Sequence, residues 1–283
     1  MKARPFKIPS LKNQSIKVER DELTQFYPHF HTHEELQLIW ILQGEGTAFI
    51  GDKILSFKNE DVFLLSSNLP HVFKSDPSEE QVESLSIYFS QEIFKINKSL
   101  VEFDPINEFL QGFSQGLIID AKQSQELKKL MSTIENTTGL KRILGLMGLM
   151  ECITIDKNLT FIASTDYASP KSSDGEKISG IIEHLYANYS QNISLDEVAD
   201  LANLTPQAFC RYFKRHTRKS MVQYLNQIRI GKVCGWLQEK KYTVTESCYQ
   251  AGFNNISNFN RQFKSVTGFT PSGYISKQKT ITD

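Results

Sequence analysis

Apolar positions follow two different rhythms along this 283-residue chain. Up to about Phe89 they come in short runs broken by turn residues. Leu36 to Leu42 is nearly continuous, Gly44-Glu45-Gly46 reads as a turn, and Thr47 to Ile50 as the return strand. Further turns at Gly51-Asp52-Lys53 and Asn59-Glu60-Asp61 lead to another apolar run, Val62 to Leu65. Short strands with closely spaced turns predict a sandwich or barrel. After them the spacing changes to three and four: Leu127, Leu130 and Ile134, then Leu140, Ile143, Leu144, Met147, Leu149 and Met150. That spacing predicts helices, amphipathic to nearly apolar all round. Such surplus apolar surface needs either the β-rich part or a second subunit to cover it. Asp166 to Gly175 is polar, with Ser, Pro and Gly, and reads as a flexible linker.

The last part of the chain repeats itself. Phe209-Cys210-Arg211-Tyr212-Phe213-Lys214 returns as Phe259-Asn260-Arg261-Gln262-Phe263-Lys264, an offset of 50. Upstream, Ser194-Leu195-Asp196-Glu197 is echoed by Thr243-Val244-Thr245-Glu246 at an offset of 49, and Ala202 by Ala251. The change from 49 to 50 places one extra residue in the second turn. Each copy predicts helix, tight turn, helix. Ser194 with Glu197, and Thr243 with Glu246, form capping boxes. Val198, Leu201 and Ala202 make an apolar stripe. Thr205 is a good N-cap, and Pro206 sits at the first helical position, where its missing N–H costs nothing.

In each second helix the phenylalanines, four apart, share a buried face. Gln207, Ala208, Cys210, Arg211 and Lys214 are left outward in copy one, and Ser257, Asn258, Asn260, Arg261 and Lys264 in copy two. Reading a major groove requires such a face: Arg matches guanine bidentately, Asn or Gln matches adenine, and small residues admit the backbone. An ordinary solvated helix surface would account for one isolated copy; the same face written twice favours DNA contact. Met221 to Glu239 predicts a long helix between the copies, with Met221, Leu225, Ile228, Val233, Trp236 and Leu237 as apolar positions and Gly231 and Gly235 permitting close approach. A rigid connector can hold two reading helices about one duplex turn apart, ~34 Å.

Residues from about 178 to 274, and above all AGFNNISNFNRQFKSVTGFTPSGY, resemble the DNA-binding domain of the AraC/XylS family of bacterial transcription regulators. The chain departs from that pattern at Asn258, where an aromatic is frequent, and at Ile275, where Arg is common. The resemblance implies that the first reading helix carries most of the sequence-specific contact and the second more of the backbone anchoring. It also implies activation, the commoner behaviour in the family, with RNA polymerase then a partner, and homodimerisation through the helices that follow the β-rich part.

Charge divides the chain likewise. Lys+Arg and Asp+Glu balance at 32 each, but residues 176–283 hold 14 basic and 8 acidic groups, net +6, leaving residues 1–175 at net −6. A basic half suits phosphate and an acidic half repels it. Cys152, Cys210, Cys234 and Cys248 show neither paired nor metal-type spacing, so reduced thiols are expected. On the outward face, Cys210 fits as a small residue that the groove admits. The opening MKARPFKIPSLKNQ has no apolar run of signal-peptide type, and no stretch reaches membrane-spanning length. The expectation is a cytoplasmic protein with no membrane partner.

His31-Thr32-His33 opens the first apolar strand, which would point both imidazoles to one side, and His71 follows Pro70 where another strand could return beside them. HFHTHEELQLIWILQGEG with NEDVFLLSSNLPHVF resembles a cupin barrel of the kind found as a sensing domain in AraC-type regulators. In metal-binding cupins these motifs supply three His and a carboxylate. Here His31, His33 and His71 match, but Gln37 stands at the carboxylate position, and an amide is a poor ligand beside imidazoles. No metal is therefore expected, and the polar groups are read as hydrogen-bonding within a small-molecule pocket. Its candidate lining is His31, His33, Gln37, Trp40 and His71. Sugars are a frequent effector class among relatives with this barrel.

The expected architecture is α+β: a cupin-like β-barrel (1–90), a helical, dimer-forming region (91–165), a linker (166–175), and an all-α DNA-binding domain of two helix-turn-helix units joined by a long helix (176–283). The function expected is effector-controlled promoter binding. The alternative is a metal-dependent cupin oxygenase or isomerase with an appended DNA-binding unit. The missing carboxylate argues against it, and the sequence shows no nucleophile elbow, phosphate loop or paired catalytic acids, so no catalytic residue and no cofactor are assigned.

Overall fold

The computed structural model describes residues 14–24, 26, 31–75, 81–95, 100–119, 124–156, 159–162 and 172–282. The β-rich part contains β1 (Ile16–Leu23), β2 (Leu36–Gln43), β3 (Gly46–Ile50), β4 (Lys53–Phe57), β5 (Val62–Leu65), β6 (His71–Lys74) and β7 (Val82–Phe89). Two more short strands, β8 (Gly116–Ile119) and β9 (Thr160–Phe161), lie within the stretch expected to be helical. One sheet runs β1-β7-β2-β5-β8-β9 and the other β4-β3-β6. Among the described residues only an isolated antiparallel bridge, His31 with His71, adds to these pairings, so the cupin-like domain is two facing sheets with open edges.

The expected return of Thr47–Ile50 alongside Leu36–Leu42 does not form. β2 pairs with β5 and β7, whereas β3 pairs with β4 and β6. A register shift between Ile41 and Gln43 and a left-handed Gly44 (φ 115°) carry the chain out of one sheet and into the other. A Cβ at Gly44 would stand 2.8 Å from Val82 Cγ1, so this corner is also too tight for a side chain.

β2 is buried on both faces, which explains its continuous apolar run. Ile39 and Ile41 join Ala48, Ile50, Phe57, Phe63 and Phe73 between the sheets. Leu36 and Leu38 face the other way, towards α2 (Asp104–Gly112), α3 (Ser124–Glu135) and α4 (Leu140–Thr154). A short helix, α1 (Glu92–Lys95), adds Phe94 to the same layer. The helices expected from the Leu127–Met150 spacing are thus α3 and α4, packed on the outside of the larger sheet. Leu140 and Leu144, 69% and 58% exposed, remain uncovered on α4.

The C-terminal part is all helical: α5 (Ser172–Ala187), α6 (Leu195–Leu201), α7 (Pro206–Thr217), α8 (Met221–Gln238), α9 (Val244–Gln250), α10 (Ile256–Thr267) and α11 (Pro271–Thr282). Part of the expected linker falls outside the described residues; its last four, 172–175, belong to α5.

The two parts share a core. Phe49 of β3 and Val72 of β6, on the outer face of the smaller sheet, join Ile178, Ile181 and Ile182 of α5, Phe209 and Phe213 of α7, and Tyr224, Leu225 and Ile228 of α8. Phe49 stacks on Tyr224 with centroids 6.1 Å apart and meets Tyr186 edge-on at 5.5 Å. Ser56 Oγ donates to the Gly231 carbonyl (3.4 Å), and Lys219 Nζ donates to the carbonyl of Asp52. The two parts are therefore joined by direct apolar packing as well as by the segment expected to link them. This packing also explains α8, which buries Tyr224, Asn226, Ile230, Lys232 and Cys234 as well as its expected apolar positions other than the half-buried Trp236, because it touches both helical units and a sheet. Gly231 is not there for close approach: a Cβ would meet only Thr47 Oγ1, at 3.9 Å.

Candidate DNA-contacting face and effector cavity

Each helix-turn-helix is built from local signals. Ser194 and Thr243 close reciprocal capping boxes with Glu197 and Glu246, and Ser220 with Gln223 does the same for α8. The turn spans residues 202–205 in the first copy and 251–255 in the second, which is where the extra residue lies. At its bend Asn203 (φ 52°) and Gly252 (φ 83°) occupy the same left-handed position. Glycine is required in the second copy, because a Cβ there would lie 2.5 Å from the Ser190 carbonyl oxygen. The α7 cap is Thr205, whose Oγ1 accepts from Ala208 N at 3.3 Å; Asn255 Oδ1 accepts from Ser257 and Asn258 at the start of α10. On α6, Leu201 departs from the expected stripe: it is 50% exposed, and Ala199 is buried in its stead beside Val198 and Ala202.

Phe209, Phe213, Phe259 and Phe263 are completely buried. Phe213 meets Tyr224 of α8 edge-on at 5.4 Å, and Phe259 and Phe263 share a cluster with Val233 and Leu237 of the same helix. Both reading helices therefore dock on one connector. Arg229 reinforces it, donating from Nε to the Tyr189 carbonyl (2.7 Å) and from Nη2 to the Gln191 carbonyl (2.9 Å). Gln207, Cys210, Arg211 and Lys214 are exposed and Ala208 half-buried; Ser257, Asn258, Asn260, Arg261 and Lys264 are all exposed. Arg261 Nη2 donates to Asn258 Oδ1 at 2.9 Å, so the second face is partly ordered by its own side chains.

In the β domain His31, His33 and His71 converge. Their ring centroids lie 4.4 Å (His31–His71), 5.0 Å (His33–His71) and 6.0 Å (His31–His33) apart. The expected strand alternation is not the cause, since residues 31–33 precede β2; the bridge between His31 and His71 brings the rings together. His33 Nε2 lies 3.2 Å from Gln37 Oε1, and the Gln37 amide reaches Ser86 Oγ (3.0 Å) and the Tyr88 hydroxyl (3.2 Å). Burial, then the neighbouring His31 and His33, holds His71 well below its ordinary value. His33 is lowered by burial, partly opposed by Gln37 and the Glu35 carbonyl. Burial also raises Asp21 and Tyr88.

A cavity of about 230 Å³ adjoins this cluster, lined by His31, Gln37, His71 and residues that sequence reasoning missed, including Ser84, Ser86 and Tyr88 of β7 and Asp21 of β1. Small polar residues at every second position of an otherwise apolar strand were the available signal. Trp40 does not belong to the group. Its parity is opposite to that of Gln37 and Ile39, and it packs with the outer helices, 5.5 Å beneath Lys128 Nζ.

A pair of capped helix-turn-helix units docked on one buried helix, with cationic and amide side chains outward, joined to a β domain with a small polar cavity, defines a ligand-binding transcription regulator. Family models agree with both parts: one described as a helix-turn-helix domain matches residues 198–277, and one described as an AraC-like ligand binding domain matches residues 15–142. The chain belongs to the AraC/XylS family of transcription regulators.

Among curated proteins, an uncharacterized HTH-type transcriptional regulator YdeC of Bacillus subtilis is 26% identical over 88% of this chain and 86% of its own length. The HTH-type transcriptional activator RhaS of Pectobacterium carotovorum is 24% identical over 89% and 88%. A crystal structure of ToxT from Vibrio cholerae aligns over 93% of this chain and 98% of its own, at 14% identity and a TM-score of 0.37. No helix among the described residues is long and apolar enough to cross a membrane.

Proposed function

We propose that this regulator reads promoter DNA with Gln207, Ala208, Cys210 and Arg211 on α7, assisted by Lys214, and steadies the complex with Ser257, Asn258, Asn260, Arg261 and Lys264 on α10. The observation that carries the reading is the repeated division of each helix into a fully buried phenylalanine pair and an exposed polar face with one arginine. His31, His33, Gln37 and His71 take a small polar effector into the adjoining cavity, a sugar being one class whose hydroxyls suit Ser84, Ser86 and Tyr88. Leu140 and Leu144 on α4 supply the face of a homodimer. By analogy with relatives named activators, the protein activates transcription in the cytoplasm and contacts RNA polymerase. The same relatives are named as regulators, which disfavours the oxygenase or isomerase alternative.

Mapping bound sites across the genome, followed by titration of one mapped promoter, tests the assignment. Arg211→Ala should weaken specific binding by about 1–3 kcal/mol and relax preference at one base position. Arg261→Ala, at an anchoring helix, should weaken binding with little change in preference. An Arg211→Ala protein that binds the mapped site as tightly and as selectively as the parent would overturn the groove assignment.

A further inference from the structure

We infer that Arg229 and Gly252 clasp the two helix-turn-helix units at a fixed separation, so that this regulator selects DNA by the spacing of its two contacted segments as well as by their bases. The inference rests on the groove reading proposed above and adds a positioning residue to it.

The two units have separate cores. Met221, Tyr224, Leu225 and Ile228 of α8 pack with Phe209 and Phe213, whereas Ile230, Val233, Cys234 and Leu237 of the same helix pack with Phe259 and Phe263. No other element among the described residues enters both clusters. Apolar packing alone would therefore leave the units joined through a single helix, able to twist about the changeover. Arg229 sits at that changeover, between Ile228 and Ile230.

The guanidinium reaches both ways. Nε and Nη2 donate to the carbonyls of Tyr189 and Gln191, in the segment between α5 and α6, and Tyr189 packs on the first core. That segment is closed on itself by Gln191 N, which donates to the Asn188 carbonyl at 2.9 Å. On the other side the guanidinium carbon lies 5.5 Å from the centroid of Phe253, and Phe253 meets Phe259 of α10 edge-on at 5.3 Å. Two carbonyls gripped by one planar fork fix direction as well as distance, which the compact ammonium of a lysine does not. Arg229 is half-buried and donates inward, unlike the exposed Arg211 and Arg261.

Gly252 closes the clasp. A Cβ on it would stand 2.5, 2.8 and 2.9 Å from the carbonyl oxygen, carbonyl carbon and Cα of Ser190, backbone atoms that cannot swing aside. The turn of the second unit thus lies backbone to backbone against the first unit, at the residue between the two carbonyl partners of Arg229. Adding one base pair moves a contacted segment about 3.4 Å along the duplex and turns it by about 35°. A clasped pair of helices follows neither change, whereas a hinged pair absorbs part of both.

The test is competition binding of the full-length protein to the mapped promoter and to versions with one base pair added or removed between the two contacted segments. The parent should lose at least about tenfold in affinity at either altered spacing. Arg229→Met, which keeps the packing stem, and Arg229→Lys, which keeps the charge, should each reduce that penalty to about threefold or less, with circular dichroism confirming the fold. A variant that is merely destabilised binds all three sites less well and leaves their ratio alone. The slope of affinity against salt should be unchanged in Arg229→Met, since loss of a phosphate contact would reduce it by about one. Gly252→Ala should weaken the discrimination likewise; if circular dichroism shows it unfolded, the two Arg229 variants decide. A parental spacing penalty retained in Arg229→Met would overturn the inference, as would full rescue by Arg229→Lys or a reduced salt slope. A parent that tolerates all three spacings, while Arg211→Ala still weakens the mapped site, would overturn the clasp and leave the groove reading standing.

Discussion

Phe49→Ala would remove the residue that most directly joins the β domain to the DNA-binding helices. Phe49 is completely buried, yet on the face of β3 that looks away from the interior of its own domain. Its ring stacks on Tyr224 at 6.1 Å and meets Tyr186 edge-on at 5.5 Å. Truncating a buried Phe costs about 3–5 kcal/mol, transfer and cavity together. Of this, each aromatic pair supplies about 0.5–1.5 kcal/mol beyond area. Because the lost contacts cross between two folded parts, the loss should appear as uncoupling as well as destabilisation. The chain holds two tryptophans, Trp40 in the β domain and Trp236 on α8, so Trp40→Phe and Trp236→Phe backgrounds leave one reporter in each part. In the parent the two fluorescence unfolding curves in urea should coincide. In Phe49→Ala they should separate, and a double-mutant cycle with Tyr224→Ala should give a coupling of about 1 kcal/mol. Phe63→Ala, inside the β domain, should be as costly but without that coupling. Curves that remain coincident in Phe49→Ala, with a loss under about 1 kcal/mol, would show that the shared core carries no coupling.

Three further outcomes are expected. DNA affinity should fall by orders of magnitude between about 50 and 200 mM salt as neutralised phosphates regain counterions, and a flat gel-shift titration over that range would contradict the cationic face. Burial depresses His71 and His33 below their ordinary 6.5. Acidification through that value therefore protonates the unfolded chain and not the folded one. Stability, complete above it, should fall below it by about 1.4 kcal/mol per pH unit for each histidine held neutral, and metal-free urea midpoints independent of pH would refute this. Leu144→Glu, at a 58%-exposed apolar position on α4, should shift a dimer to monomer by light scattering without lowering the unfolding midpoint; an unchanged dimer would move the interface elsewhere.

What the sequence determined by itself is local. The duplicated helix-turn-helix could be read because capping boxes, Pro206 at a first helical position and phenylalanines four apart act within a few residues, and all of these stand in the structure. The three histidines were legible as a group, although the reason offered, strand alternation, was not what unites them. Trp40 could have been set aside by parity alone, since it is an odd number of positions from Gln37. Other features depended on pairing between distant residues. β1, β7 and β8 are defined by partners elsewhere in the chain, and the departure of β3 from β2 follows from a bulge and a corner glycine. The burial of α8 on more than its apolar stripe and the outward-facing Phe49 became intelligible only when each part was seen to cover the other. Helix caps and periods are set by neighbours a few residues away, whereas which apolar face meets which is decided by the whole chain minimising exposed surface at once.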